Sequence, residues 1–223
     1  MSNSPTRLFL IRHGATVLSA EDRFAGETDV ALSEEGRAQA KALGARLAPE
    51  NLAAVYASPM LRTMETARLV CPDGMQPVAV DGLREISHGR WEQLTRKEVE
   101  SRYAVEYASW EEDPFTFAPE GGESGVSVMA RALPAIRQIV LSHPSRNVAV
   151  VSHKATIRLV LCSLLGIDAR GYRDRLDQSP ACLNVIDFKD PVRARLMTYN
   201  DTAHYRETPR RDLAGLSKWW DSK

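Results

Sequence analysis

Arg7-Leu8-Phe9-Leu10-Ile11-Arg12-His13-Gly14-Ala15-Thr16 is the stretch on which the reading of this chain turns. A short apolar run closed by polar residues reads as a buried strand, so Arg12 and His13 fall at its C-terminal tip. Open α/β sheets bind their ligands at such tips. A histidine there can act as nucleophile or general base, an adjacent arginine presents a planar fork of donors to an oxyanion, and Gly14 allows close backbone approach.

Outward from that strand, the chain alternates helical and extended patterns. Residues 17–32 are polar and irregular, a loop that leaves the strand tip and covers it. Ser33 is placed to cap a helix reaching about residue 48, with Glu34 and Glu35 at its positive end and Ala40, Leu43 and Leu47 at helical spacing. Leu52-Ala53-Ala54-Val55-Tyr56-Ala57 reads as a second strand. Ser58-Pro59 then opens a helix as cap and first-position proline, which places Arg62 in its first turn. A third strand is expected at 76–80, followed by a loop at 83–91 rich in reactive groups.

Residues 92–120 mix charged and aromatic side chains with Pro114 and Pro119, and predict one or two short helices forming a lid over one end of the sheet. Tyr103, Tyr107, Trp110, Phe115 and Phe117 would be its core. Gly121-Gly122-Glu123-Ser124 leads into a helix to about residue 142, with Met129, Leu133, Ile136 and Val140 on one face. Pro134 is expected to kink or break it. Asn147-Val148-Ala149-Val150-Val151-Ser152 is a strongly β-branched strand, and the helix opened by His153-Lys154 is apolar almost all round. Two antiparallel strands, 183–188 and 194–199, precede a tail carrying Trp219 and Trp220. The expected fold is a single three-layer α/β domain over residues 1–223. Its central, mostly parallel sheet is flanked by helices, with one antiparallel edge strand and the 92–120 lid insertion.

Composition narrows the function classes. Among 223 residues, 29 Lys and Arg balance 29 Asp and Glu, so nothing global favours nucleic acid or an anionic membrane, and an anion site must be local. Cys71, Cys162 and Cys182 are scattered without C-x-x-C spacing and read as buried small hydrophobes rather than metal or redox ligands. The first residues lack a signal-peptide apolar segment, and no window reaches 18 uncharged apolar residues, so the cytoplasm is the expected location. Parallel strands would gather three junctions at one sheet edge, Arg12-His13, Arg62 and His153. Two arginines, two histidines and helix N-terminal amides meeting there suit a phosphate.

Five ordered motifs then carry a resemblance. They are Arg12-His13-Gly14-Ala15-Thr16; Gly26-Glu27-Thr28-Asp29 with Leu32-Ser33-Glu34-Glu35-Gly36 and Gln39-Ala40; Ser58-Pro59-Met60-Leu61-Arg62-Thr63 with Thr66-Ala67; Leu83-Arg84-Glu85-Ile86; and Val151-Ser152-His153. Together they resemble the histidine phosphatase superfamily, in its phosphoglycerate-mutase-like branch. The resemblance implies phosphoryl transfer without a metal or other cofactor. His13 would be the nucleophile, Arg12, Arg62 and His153 would hold the phosphoryl oxygens, and Glu85 would be the general acid. Ser19, where the family often has Asn, and Gly26 would lie at the auxiliary phosphate-binding loop. His88 would be placed to line the substrate side. Ala25 stands where the family often has Gln, and Lys154 where it commonly has Gly; an extra rim cation at 154 could bind a substrate carboxylate or phosphate or be a solvated lysine, and the solvated lysine is expected.

The segment Glu85-Ile86-Ser87-His88-Gly89-Arg90-Trp91, followed by Gly121-Gly122-Glu123-Ser124, is similar to phosphatases rather than to the cofactor-dependent mutases, which generally carry a longer insertion after the catalytic Glu. It resembles phosphoserine, α-ribazole and sugar-phosphate phosphatases, with phosphoserine taken first. A mutase and a non-catalytic phospholigand binder are the competing readings. The partner expected is a small phosphorylated metabolite, and the end strands and Trp219-Trp220 offer a contact for a homodimer. His143 and His204 read as surface histidines, His204 within reach of the pocket if the tail folds over it.

Overall fold

Alternation within the opening strand builds two faces at once. In β1 (Thr6–Arg12), Leu8 and Leu10 point into one apolar cluster and Phe9 and Ile11 into the other, as the two-residue period of a strand requires. The computed structural model describes residues 4–20 and 23–206, except the side chains of Ser19 and Ala20. After β1 come the short turn α1 (Val17–Ala20), α2 (Glu34–Leu47), β2 (Ala54–Ala57), α3 (Leu61–Val70) and β3 (Val78–Ala79). Then follow α4 (Arg96–Arg102), α5 (Ala104–Glu112), α6 (Gly125–Ser142), β4 (Asn147–Ser152), α7 (Lys154–Leu165), α8 (Tyr172–Arg175), β5 (Leu183–Phe188) and β6 (Ala194–Asp201). Trp219 and Trp220, and any dimer contact made through them, lie outside the described residues.

The strand order is β3-β2-β4-β1-β5-β6. β3, β2, β4 and β1 are parallel, and β5 runs against β1 and β6, which makes the antiparallel edge a hairpin. One face packs on α6 and α7 through Ala132, Ile136, Val140, Ile157 and Leu161. The other packs on α2 and α3 through Leu43, Leu47, Ala67 and Val70. The expected three layers are present. Their register positions the site: Arg12 lies opposite Ser152 and Ala57 opposite Val151, so the next residues, His13, His153 and Ser58, emerge at one level of the sheet edge.

Two local expectations need correction. α3 starts at Leu61, not at Ser58-Pro59; its N-cap is Met60, and Asp29 from the preceding loop accepts the Leu61 N–H at 2.7 Å. Ser58 is drawn off by a buried partner, described below. α6 is assigned as one helix from Gly125 to Ser142, so the break expected at Pro134 does not occur; the proline ring itself is exposed. The buried face of α6 is Val128, Ala132, Ile136, Ile139 and Val140, with Met129 and Leu133 only half-buried beside it. Cys162 and Cys182 are buried as expected, and Cys71 is half-buried.

The segment 92–120 forms α4 and α5, whose Val99, Tyr107 and Trp110 enclose a separate aromatic cluster with Trp91 and Phe24. Tyr103 and Phe117 pack at its border, while Phe115 joins the neighbouring cluster under α7. No helix among the described residues is long and apolar enough to cross a membrane.

The loop after β1 is held by the start of α2. The Ser33 hydroxyl caps Gly36 N–H and donates to the Ala15 carbonyl, both at 3.1 Å, while Gln39 Oε1 accepts Ala15 N–H at 3.1 Å. A Cβ on Gly36 would stand 2.1 Å from the Ala15 carbonyl oxygen, a backbone atom that cannot step aside. Gly36→Ala is therefore expected to cost about 1–3 kcal/mol and several degrees of melting temperature. Calorimetry checks this; an unchanged melting temperature would mean that the loop has room.

Candidate active site

Three parallel strand tips, the loop 23–28 and the first turns of α3 and α7 surround a cleft of about 190 Å³. His13, Arg12 and Arg62 form its floor and are 5%, 8% and 1% exposed. The His13 Nδ1 lies 2.7 Å from the Gly14 carbonyl, which can only accept, so Nδ1 carries the proton and Nε2 keeps its lone pair. Burial first, and then the charges of Arg62 and Arg12, hold the His13 pKa well below the ordinary imidazole value. At neutral pH the ring is uncharged, with a free lone pair on Nε2, between two cations.

Arg62 is fixed by neutral partners. Nη1 donates to the Thr28 carbonyl and Nη2 to the Gly26 carbonyl, both at 2.8 Å, and Nε donates to His153 Nδ1 at 3.3 Å. Arg12 Nη1 donates to the Gln178 carbonyl at 2.6 Å, and its buried Nε has no partner. Among the described residues neither guanidinium has a carboxylate at contact distance, so both keep their charge available for an anion. Gly26 thus acts on Arg62 through its carbonyl. Its φ of +45° lies in the left-handed region that favours glycine.

His153 is fully buried behind the floor, its ring edge-on to His13 with centroids 5.2 Å apart. Its Nδ1 accepts from Arg62, so Nε2 carries the proton and donates to Ser58 Oγ at 2.8 Å. Ser58 is a contact that sequence reading misses; its cap-like Ser-Pro context points to a helix start instead. Burial and the facing cations hold His153 well below its ordinary pKa as well.

Glu85 lines the cleft opposite. Its Oε1 accepts from Ile86 N–H at 3.0 Å and Thr156 N–H at 3.2 Å, with the Thr156 hydroxyl at 3.1 Å, while Oε2 accepts only Ala155 N–H at 3.2 Å. The first turn of α7 therefore fixes the carboxyl group. Arg131, also missed by sequence reading, grips the loop beneath: it donates to the carbonyls of Gly82, Arg84 and Glu85 at 3.0, 2.8 and 2.9 Å and pairs with Glu123. The Glu of Gly121-Gly122-Glu123-Ser124 is thus half of a clamp on the catalytic-loop backbone.

His88 also lines the cleft, half-buried with its ring 4.7 Å from Phe24, and burial lowers its pKa. Ser19 belongs to α1, and its side chain lies outside the described residues. Lys154 lies at the cleft rim with its side chain 43% exposed, in line with the solvated reading. His204 stays away from it, near Arg46 and Asp201. His143 bonds the Tyr56 hydroxyl at 2.9 Å. Arg23, Phe24, Arg96, Trp110, Arg158, Tyr172 and Arg173 complete the lining, none of them signalled by a motif. Among the described residues no group of three or more His, Cys, Asp or Glu side chains is gathered as a metal site.

A family model for the histidine phosphatase superfamily (branch 1) matches residues 8–202. The chain belongs to that superfamily. It is 34% identical over 163 residues to phosphoserine phosphatase 1 of Hydrogenobacter thermophilus, covering 73% of this chain and 77% of the relative. It is likewise 34% identical over 169 residues to glucosyl-3-phosphoglycerate phosphatase of Mycolicibacterium vanbaalenii, covering 72% and 75%. The Bacillus stearothermophilus YhfR structure superimposes with a TM-score of 0.83 at 30% identity, over 89% of this chain and 98% of that one. Membership and these relatives make the protein a phosphoric monoester hydrolase of the histidine phosphatase type.

Proposed function

We propose that the protein hydrolyses a small phosphorylated metabolite, phosphoserine first among candidates, through a phosphohistidine on His13 and without a metal. One observation carries the reading: a neutral His13 with Nε2 unprotonated lies between two arginines that, among the described residues, no carboxylate contacts. Arg12 and Arg62 bind two equatorial oxygens of the phosphoryl group. His153 takes the third, exchanging one of its present bonds to Arg62 or Ser58. Fixed cations at those oxygens supply the charge neutralisation for which other phosphoryl-transfer enzymes use magnesium.

His13 Nε2 attacks phosphorus in line as the bond to the ester oxygen breaks. Glu85 passes its proton to the departing alkoxide, and Oε2, which has fewer donors than Oε1, is the oxygen suited to carry it. The Glu85 carboxylate then takes a proton from water, whose oxygen attacks the phosphohistidine and frees phosphate and His13. His88 and the Phe24 edge face the organic part of the ester. A cytoplasmic location fits such a metabolite enzyme.

Phosphate release from phosphoserine, 3-phosphoglycerate, sugar phosphates and α-ribazole phosphate in the presence of a chelator tests this. Turnover that survives chelation is expected, and the best substrate identifies the subfamily. Interconversion of 3- and 2-phosphoglycerate in the presence of 2,3-bisphosphoglycerate, without phosphate release, would make the protein a mutase. Phosphate binding without any turnover would make it a phospholigand binder.

A further inference from the structure

The cleft holds more positive charge than a phosphate needs. One lining carboxylate, Glu85, faces Arg12, Arg62, Arg23, Arg96, Lys154, Arg158 and Arg173. Several of these cations are already matched. Arg173 pairs with Glu111 at 3.1 Å and Asp174 at 3.4 Å, and Arg23 pairs with Glu98 at 3.2 Å. Arg96 lies against Trp110, its guanidinium carbon 5.5 Å from the ring centroid.

Lys154 and Arg158 are different. Four residues apart on α7, they lie on one helix face beside the cleft. Both reach the same atom, Asp177 Oδ1, Lys154 at 3.7 Å and Arg158 at 3.3 Å. Asp177 itself is 65% exposed, so solvent weakens its pull on either cation. The Arg158 side chain is only 10% exposed and its buried Nε has no partner. Two cations on one carboxylate leave one net positive charge next to the organic end of the ester.

Building on the phosphatase reading, we infer that Lys154 and Arg158 form a carboxylate subsite, so that the enzyme selects phosphomonoesters bearing an acid group on the leaving alcohol. The imbalance is also visible in the lysine's titration. Burial, then the charges of Arg158 and Arg12, outweigh the opposing Asp177, with Arg96 adding to the repulsion, and bring the Lys154 pKa down to about 7. An arriving carboxylate supplies the missing counter-charge. Selection for the acid group is therefore expected to be strongest below about pH 7 and to weaken as the pH rises and Lys154 loses its proton.

Two substrate pairs that differ only by a carboxylate test the subsite: phosphoserine against phosphoethanolamine, and 3-phosphoglycerate against glycerol 3-phosphate. Their kcat/KM ratios cancel whatever is common to the phosphoryl step. A wild-type preference of about 10- to 100-fold for the acidic member is expected, as for a charge-assisted hydrogen-bonded pair. Lys154→Met is expected to reduce the ratio by about tenfold. Asp177→Asn, an exposed change that removes the competing carboxylate but also a group that holds the Lys154 proton, is expected to raise it well below pH 7 and to shift its loss to lower pH.

Binding of 2-amino-4-phosphonobutanoate against 3-aminopropylphosphonate gives the same ratio without turnover. A protein that hydrolyses nothing yet prefers the acidic phosphonate would overturn the phosphatase reading and keep the subsite. A ratio near one in the wild type, or one that neither substitution moves, overturns the subsite alone.

Discussion

His13→Ala is expected to remove phosphatase activity by a factor on the order of 10⁴ or more, the scale on which covalent catalysis fails when its nucleophile is lost. The reason lies in the charge of the ring. Buried between Arg12 and Arg62, His13 is held neutral, and the Gly14 carbonyl fixes the proton on Nδ1. Water in the vacated space has neither the orientation nor the lone pair at that position. The two arginines keep their carbonyl partners in the variant, so phosphate should still bind and raise the melting temperature, which separates lost chemistry from lost folding. Rapid quenching of wild type with labelled substrate should leave a phosphoenzyme that survives base and decays in acid, as a phosphoramidate does; the variant should leave none. Activity within tenfold of wild type, or a label that persists in the variant, would move the nucleophile elsewhere.

Much of this arrangement was legible because its logic is local. Leu8 to Ile11 alternate between two cores, and the tip of such a strand is a ligand edge whatever follows it. The motif residues around Ser33, Gln39 and Thr66 belong to the site for a reason that only the fold makes visible. Ser33 and Gln39 tie down Ala15, and Thr66 Oγ1 accepts Gly14 N–H at 3.1 Å, so nearly every backbone group of the nucleophile loop is bonded. What the sequence hid was long-range pairing. Ser58 reads as a helix cap until β4 brings His153 to its hydroxyl, and Asp29 reads as loop until it caps Leu61 from 32 residues away. Arg131 sits in a helix as an ordinary polar residue, and its grip on the Glu85 loop arises only when α6 packs beneath that loop. Lys154 was expected in solvent because lysines mostly are exposed, and its side chain is 43% exposed, but the first turn of α7 also sets it at the cleft rim, which the sequence does not show.

Glu85→Gln should show a selective defect, about 10²- to 10⁴-fold on esters of alkyl alcohols and far less on p-nitrophenyl phosphate. An alkoxide is a poor leaving group and needs a proton in the transition state, whereas p-nitrophenolate leaves unaided. The substitution is mild for the fold. The amide oxygen can take the place of Oε1 and keep the Ile86 and Thr156 donors, while the amide nitrogen meets Ala155 N–H and loses that one 3.2 Å bond. The structural cost is about 1 kcal/mol, too small to unfold a domain of this size. In the proposed mechanism Glu85 also serves the hydrolysis of the phosphohistidine, so the variant should accumulate phosphoenzyme from p-nitrophenyl phosphate and show a burst before a slower steady rate. Equal losses on alkyl and p-nitrophenyl esters would mean that the carboxyl group positions substrate instead of transferring a proton, and the acid would then have to be sought among the other titratable groups that line the cleft, His88 first.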